Sequence, residues 1–271
     1  MSTISREALT PKKNMNCPLC HTPLSPAFHH QVLGHLDVAY FQCPTCGFLQ
    51  TEPPTWLEEA YATSYTAQDS GIVSRCLQNR IKAEVIFSSL FGNKGTFVDI
   101  GGGIGLFTRM MRDIGFDFRT SDKYAEPILA RGFEAGESLP ATALTAFEVL
   151  EHTENPLEFL RENLQCHGDC RTILLSTSTF EGTPPPETWP YYGFEHGQHI
   201  SFFTRKTMGV LAKELGLVYI PVLRDMHLLT DRRVSAHLRL IFRNRALFLA
   251  VAAQTRLLRR GRSFTQADSK K

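Results

Sequence analysis

The 271 residues carry 29 lysines and arginines against 27 aspartates and glutamates, a net charge of +2. That near balance excludes a chain built mainly to grip a polyanion, which shows a strongly basic surplus. A hydrophobic content of 42% with 21% charged residues is globular rather than disordered composition. No run of about eighteen apolar residues occurs, and the first seven residues lack the apolar centre of a signal peptide. Neither a membrane span nor export is expected, and the expected location is cytoplasmic.

The first element is a pair of Cys-x-x-Cys knuckles, Cys17-Pro-Leu-Cys20 and Cys43-Pro-Thr-Cys46. Residues 36–42 alternate as a strand leading into the second knuckle. Four thiolates close a tetrahedral shell around zinc and leave no position open for catalysis, so the spacing predicts a structural zinc ribbon over residues 1–54. A segment of about 50 residues buries too little surface to hold itself together, and a metal staple supplies what the core lacks. Thiols kept reduced on a metal fit the cytoplasm better than a disulfide framework. His21, His29, His30 and His35 are expected in solvated loops, since four cysteines already complete the shell.

Glu52-Pro-Pro-Thr55 breaks the chain, and a second domain is expected over 55–230. A short helix begins at Trp56. Ile72, Cys76, Ile81, Val85, Ile86 and Leu90 give residues 72–91 helical periodicity, ending at Gly92. Residues 96–100 read as an apolar strand running into Asp99-Ile-Gly-Gly-Gly-Ile-Gly105 and then a helix to residue 114. A dinucleotide fingerprint needs Gly-x-Gly-x-x-Gly, and counted from Gly101 its third glycine falls on Leu106. A pyrophosphate is therefore not expected, and Asp99 would repel one. S-adenosylmethionine, with an ammonium group and no phosphate, suits glycines that admit a close backbone approach beside a carboxylate.

Further strands are expected at 117–121, 144–150, 171–176 and 217–223, with helices at 156–166 and 204–215. This alternation predicts an α/β fold with a doubly wound, mostly parallel sheet, in which ligands bind beyond the carboxyl ends of the strands. Asp122 ends the second strand, where a carboxylate accepts hydrogen bonds from both ribose hydroxyls. Glu134 and Glu137 are candidates for an adenine-side acid. His152 is expected to pack structurally beside the cleft.

The segment from Thr183 to His199 is proline-rich and aromatic, longer than an ordinary connection, and reads as an acceptor-binding loop. His196 and His199 are the first candidates for a general base, because histidine titrates near the required pH. Glu195 and Tyr192 are their expected supports. Residues 231–271 form a C-terminal unit, with 234–262 read as one long basic helix available for peripheral contact with an anionic surface, and 264–271 expected to be disordered.

Val98-Asp-Ile-Gly-Gly-Gly-Ile-Gly105, Asp122 and Phe147-Glu-Val-Leu-Glu-His152-x-x-x-Pro156 together resemble the small-molecule branch of the class I S-adenosylmethionine-dependent methyltransferases. The resemblance implies that Asp99, Gly101 and Gly103 contact the methionine end of the cofactor, with Gly105 in the same cofactor-binding loop. It also implies Asp122 on the ribose, with Phe147 and Glu148 lining the cofactor cleft. A narrower resemblance is to zinc-bearing sugar C-methyltransferases acting on nucleotide-linked keto sugars, whose acceptor stretch Tyr-His-Glu-His is replaced here by His196-Gly-Gln-His199. It implies a small acceptor such as a nucleotide-linked sugar or glycan. Cys17-Pro-Leu-Cys-His-x-Pro-Leu24 is similar to the opening of zinc-bearing ribosomal-RNA guanine methyltransferases. RNA methylation is therefore the alternative reading, beside a non-catalytic binder of S-adenosylmethionine.

Overall fold

Two sheets and the helices packed on them make a mixed α/β fold in the computed structural model, which describes residues 15–62, 71–92, 94–136, 138–258 and 263–269. The chain begins with β1 (Ser25–Val32), β2 (Leu36–Gln42) and β3 (Leu49–Thr51), an antiparallel meander around the two knuckles. A short helix α1 (Leu57–Ala62) follows, then α2 (Ile72–Phe91). Gly92 stops α2 in the left-handed conformation (φ 60°), from which its N–H returns to the Ser88 carbonyl.

The larger sheet follows. β4 (Thr96–Ile100), α3 (Leu106–Asp113), β5 (Asp117–Ser121), β6 (Ala143–Phe147), α4 (Pro156–Cys166) and β7 (Thr172–Ser176) alternate strand and helix. Pro156 at the first turn and the Asn155 side chain, accepting from the Glu158 N–H, start α4. Next come β8 (Thr179–Phe180), β9 (Ser201–Thr204), α5 (Arg205–Glu214), β10 (Val218–Val222) and β11 (Met226–Thr230). The six-stranded order is β10-β11-β7-β6-β4-β5; the last four strands are mutually parallel, and β11 runs antiparallel to both its neighbours. Among the described residues between β5 and β6 there is a single bridge, Thr120 to Glu134, in place of a full helix and strand.

Alternation along the strands separates two cores. Val98, Ile100, Leu144, Ile173 and Leu175 face α4 and α5. Phe97, Ala143, Leu174 and Leu228 face α2, α3 and the C-terminal helices. Strand periodicity thus puts successive residues on opposite faces, and both are covered.

Five features differ from the sequence expectation. β6 ends at Phe147 rather than Leu150: Glu148 turns to φ 53°, and Leu150–His152 wind into a 3-10 turn. β1, β3, β8, β9 and β11 were not foreseen. β3 pairs with β9, Leu49 opposite Phe202, so the small sheet β1-β2-β3-β9-β8 is completed by residues 150 positions downstream in the chain. The expected long basic helix is broken at Asn244, whose extended backbone separates α6 (Ala236–Arg243) from α7 (Arg245–Leu258). Phe242 and Phe248 bury these helices against α2; Arg259, Arg260 and Arg262 lie outside the described residues.

The last difference is at the end of the chain, which is ordered through α8 (Thr265–Asp268). Asp268 accepts from Arg112 Nε at 2.8 Å and Nη2 at 2.9 Å, and from Arg109 at 2.7 Å. Arg112 also pairs with Asp117 and lies over the Phe133 ring. No helix among the described residues is long and apolar enough to cross a membrane.

Candidate active site

The glycine loop leaves the carboxyl end of β4 with its amides already committed. Gly101 N–H donates to the Ser121 carbonyl at 2.7 Å and Gly103 N–H donates to Asp122 Oδ2 at 2.8 Å. Asp122 Oδ1 accepts from the Tyr124 and Ala125 N–H groups, each at 2.8 Å. A side chain at Gly101 would place Cβ 2.7 Å from Val149 Cγ2, and at Gly105 2.6 Å from Ala130 Cβ, so both glycines are demanded by packing. Gly103 differs: nothing lies within 4 Å of where its Cβ would be. The loop is closed toward the protein and open at Gly103.

Asp99 lies under this loop, 3% exposed, with Thr145 Oγ1 donating to its Oδ1 at 2.6 Å. Burial pushes its pKa up to about 7, with the neighbouring Asp122 charge adding to the rise and the Thr145 hydrogen bond opposing it. Phe147 ends β6 with its ring edge-on to Phe107, centroids 4.8 Å apart. Glu148 follows, its Oε1 accepting from Ser176 Oγ at 2.6 Å.

Beside the loop, the 3-10 turn and the 190–199 segment assemble a polar cluster. The His199 ring lies 4.9 Å from that of His152 and 4.8 Å from that of His196. His199 Nδ1 faces the Tyr191 carbonyl at 2.6 Å and His152 Nδ1 faces the Gln198 carbonyl at 3.1 Å. Carbonyls only accept, so His199 Nδ1 carries the proton and its Nε2 keeps a lone pair; His152 Nδ1, which also lies 3.0 Å from Tyr61 Oη, takes the same tautomer where it donates to Gln198. His196 has the opposite tautomer, its Nδ1 accepting from the Gln198 N–H at 3.1 Å. Burial, reinforced by the other imidazoles, holds His199 down to about 3; burial also lowers His152 to about 4 and lowers His196. All three rings are neutral at pH 7.

Glu151 is 0% exposed, and Tyr191 Oη donates to its Oε1 at 2.6 Å while Oε2 has no hydrogen-bond partner. Burial, then the Glu148 charge, raises its pKa. Glu151, His152 and His199 bring one ligand atom each to within 4.8 Å of one another.

Of the residues singled out in sequence, His196 and His199 are brought together. Tyr192 is not with them, and Glu195 reaches only His196, through its charge. Tyr192 is buried in the aromatic core of the small sheet, its hydroxyl donating to the Pro185 carbonyl, and Glu195 is exposed. Tyr191 stands in the cluster instead. Glu151 and Tyr191 escaped the sequence reading, and His152 was assigned a packing role. The only signal available was the Glu-His pair immediately beyond a strand end. Glu134 accepts from the Gly132 N–H, and Glu137 lies outside the described residues. The four knuckle cysteines converge as well, Cys17 to Cys46 at 3.6 Å and Cys20 to Cys43 at 3.4 Å between sulfurs.

A family model described as a methyltransferase domain matches residues 74–222. No curated protein is significantly similar in sequence. Among solved structures, the Burkholderia thailandensis 1,6-didemethyltoxoflavin-N1-methyltransferase is similar at 14% identity and a TM-score of 0.47, over 77% of this chain and 100% of that one. Human N-acetylserotonin methyltransferase is similar at 15% identity and a TM-score of 0.42, over 59% and 51%. The mitomycin 7-O-methyltransferase MmcR is similar at 17% identity and a TM-score of 0.43, over 58% of this chain. The matches span 54% of MmcR and 51% of the human enzyme, about half of each.

Proposed function

The chain belongs to the methyltransferase-domain family, and from that premise we propose that it transfers the methyl group of S-adenosylmethionine to a hydroxyl of a small, sugar-bearing acceptor received at the histidine cluster. The observation that carries this reading is the packing of Gly101 on Val149, which sets the open face of the glycine loop beside the Glu151–His152 turn. A doubly wound sheet, with its ligands beyond the carboxyl ends of β4 and β6, fits the same reading.

The residues present suit this cofactor. Gly103 leaves room for its backbone-hugging end, Asp122 retains a lone pair on Oδ2 for a ribose hydroxyl, and Phe147 and Glu148 line the far wall. Asp99 and Gly105 support the loop from beneath. When bound, S-adenosylmethionine supplies an electrophilic methyl on a sulfonium sulfur. The protein's part is to align the acceptor oxygen with that methyl, an effect of several kcal/mol on the barrier. The Nε2 of His199 accepts a hydrogen bond from the acceptor hydroxyl and orients its oxygen toward the methyl; because burial holds that ring down to about 3, the proton leaves to a neighbouring carboxylate rather than staying on the imidazole. Trp189 and Tyr191, 5.2 Å apart, offer ring faces to an acceptor of sugar type.

The four cysteines are best read as a structural zinc site. A tetrahedral shell with Zn–S of about 2.3 Å has sulfurs about 3.8 Å apart, close to the 3.4 and 3.6 Å separations present. Cys17, Cys43 and Cys46 are buried and packed into the core shared with α5. Cys46→Ser should release one zinc per chain to a chromogenic chelator and lower the melting temperature; unchanged metal content would remove the zinc assignment.

The transfer reading is tested by incubating the protein with methyl-labelled S-adenosylmethionine and a fractionated cell extract. Label is expected in small, hydroxyl-bearing metabolites, with His199→Ala abolishing it while S-adenosylhomocysteine still binds. Label in RNA, or binding of the cofactor with no transfer to any fraction, would overturn the proposal.

A further inference from the structure

The residues Glu151, His152 and His199 are more than a hydrogen-bonding cluster. We infer that they form a binding site for a divalent first-row metal cation, with Glu148 as the neighbouring oxygen donor. Four observations converge. One ligand atom from each of the three lies within 4.8 Å of the others, so modest side-chain shifts bring them to the roughly 3–4 Å that separates donors on one ion. Oε2 of the wholly buried Glu151 has no hydrogen-bond partner, although buried polar atoms are almost always satisfied. Both imidazoles have Nδ1 tied to a backbone carbonyl, Tyr191 for His199 and Gln198 for His152. That second contact is the one that orients metal-ligating histidines and frees Nε2. Finally, Tyr191 Oη bridges toward both carboxylates, 2.6 Å from Glu151 Oε1 and 3.5 Å from Glu148 Oε2.

Electrostatics select a cation. The Glu148 and Glu151 side chains share the Tyr191 hydroxyl, and neither takes part in a described ion pair. The Arg75 charge, from α2, bears on His199. Two neutral imidazoles and a carboxylate suit manganese, iron, cobalt or zinc rather than calcium, which prefers oxygen alone. Three protein ligands leave coordination positions open toward the cleft, as in catalytic rather than structural sites. There the ion would occupy the His199 Nε2 lone pair in place of the acceptor hydroxyl, draw in the acceptor oxygen itself and make its proton easier to lose to a neighbouring carboxylate. This role in turnover rests on the methyltransferase reading; the site itself does not.

The test is a Mn2+ titration of the full zinc-loaded chain, followed by electron paramagnetic resonance. Manganese is a poor competitor for the thiolate site, so it reports the second site alone. One Mn2+ per chain is expected, with nitrogen hyperfine coupling from imidazole in the unsubstituted protein. Glu151→Gln and His199→Ala should each weaken Mn2+ by at least about tenfold, while S-adenosylhomocysteine affinity stays within about twofold. Absence of bound Mn2+, absence of nitrogen coupling, or unchanged Mn2+ affinity in both variants would overturn the site. Bound Mn2+ with nitrogen coupling but no methyl transfer to any acceptor would keep the site and remove the transfer reading. Transfer at an undiminished rate after the second site is stripped of metal would overturn the ion's role in turnover.

Discussion

Replacing Asp99 by asparagine should stabilise the protein at pH 8 and leave it nearly unchanged at pH 3.5. The carboxyl is buried beneath the glycine loop, and burial moves its pKa from 3.8 to about 7. The folded state therefore binds a proton that the unfolded chain has already released between those two values. Stability is complete below the unfolded pKa and falls as pH rises through that window. A rise of about three units at 1.36 kcal/mol each is a loss of about 4 kcal/mol by pH 8. Asparagine has the same shape, keeps an oxygen to accept from Thr145 Oγ1, and carries no charge to desolvate. Urea unfolding of both proteins at pH 3.5, 5.5 and 8, without cofactor, reads the difference directly. Titration of the other groups is common to both proteins and cancels. The gap should widen in favour of the variant as pH rises, most of it appearing between pH 4 and 7. A gap independent of pH, or one favouring aspartate at pH 8, would refute the burial argument.

Alanine at Gly105 and at Gly103 should separate packing from ligand approach. Gly105→Ala meets Ala130 and should lower the melting temperature. Gly103→Ala meets no protein atom, should cost the fold only about 1–2 kcal/mol for its left-handed backbone, and should weaken S-adenosylmethionine at least about tenfold by calorimetry. Equal loss of stability in both would remove the argument for an open cofactor face. Asp268→Ala strips Arg112, whose side chain is 4% exposed, of two charge-assisted bonds and should destabilise by about 3 kcal/mol in urea unfolding. Arg112 holds the Asp268 carboxyl below its ordinary pKa, so this contribution is present at neutral pH and is lost as pH falls below the ordinary carboxylate range. A variant as stable as the parent at pH 7 would show that α8 adds nothing to the fold.

Much of the large sheet was legible because its signals are local. Gly92 closes α2 where the apolar period stops, and Pro156 opens α4 behind Asn155. Ile173, Leu174 and Leu175 are an apolar run, and every residue of 172–176 is buried in β7. Other elements had no such mark. β3 has only three residues, and its partner β9 lies 150 positions away. The turn at Glu148 hides inside a segment that reads as uninterrupted strand, because one left-handed residue leaves no trace in hydrophobic periodicity. The candidate site divides the same way. The glycines and Asp122 announce themselves by spacing. Tyr191 and Tyr192 are neighbours of identical type, and only the 3-10 turn at Pro190–Tyr192 decides which hydroxyl enters the cluster and which enters the small-sheet core.

The order of residues alone therefore determined what depends on neighbours a few positions apart: helix ends, the strand before the glycine loop, and the pairing of thiols within each knuckle. The folded chain decided everything that depends on which distant segments touch. It joined β3 to β9, anchored Asp268 on Arg112, and drew Glu151, His152, Tyr191 and His199 into one desolvated pocket. Burial is a collective property of packing. The same histidine is an ordinary base in water and a neutral lone pair when enclosed, so its chemistry is set only when the fold closes around it.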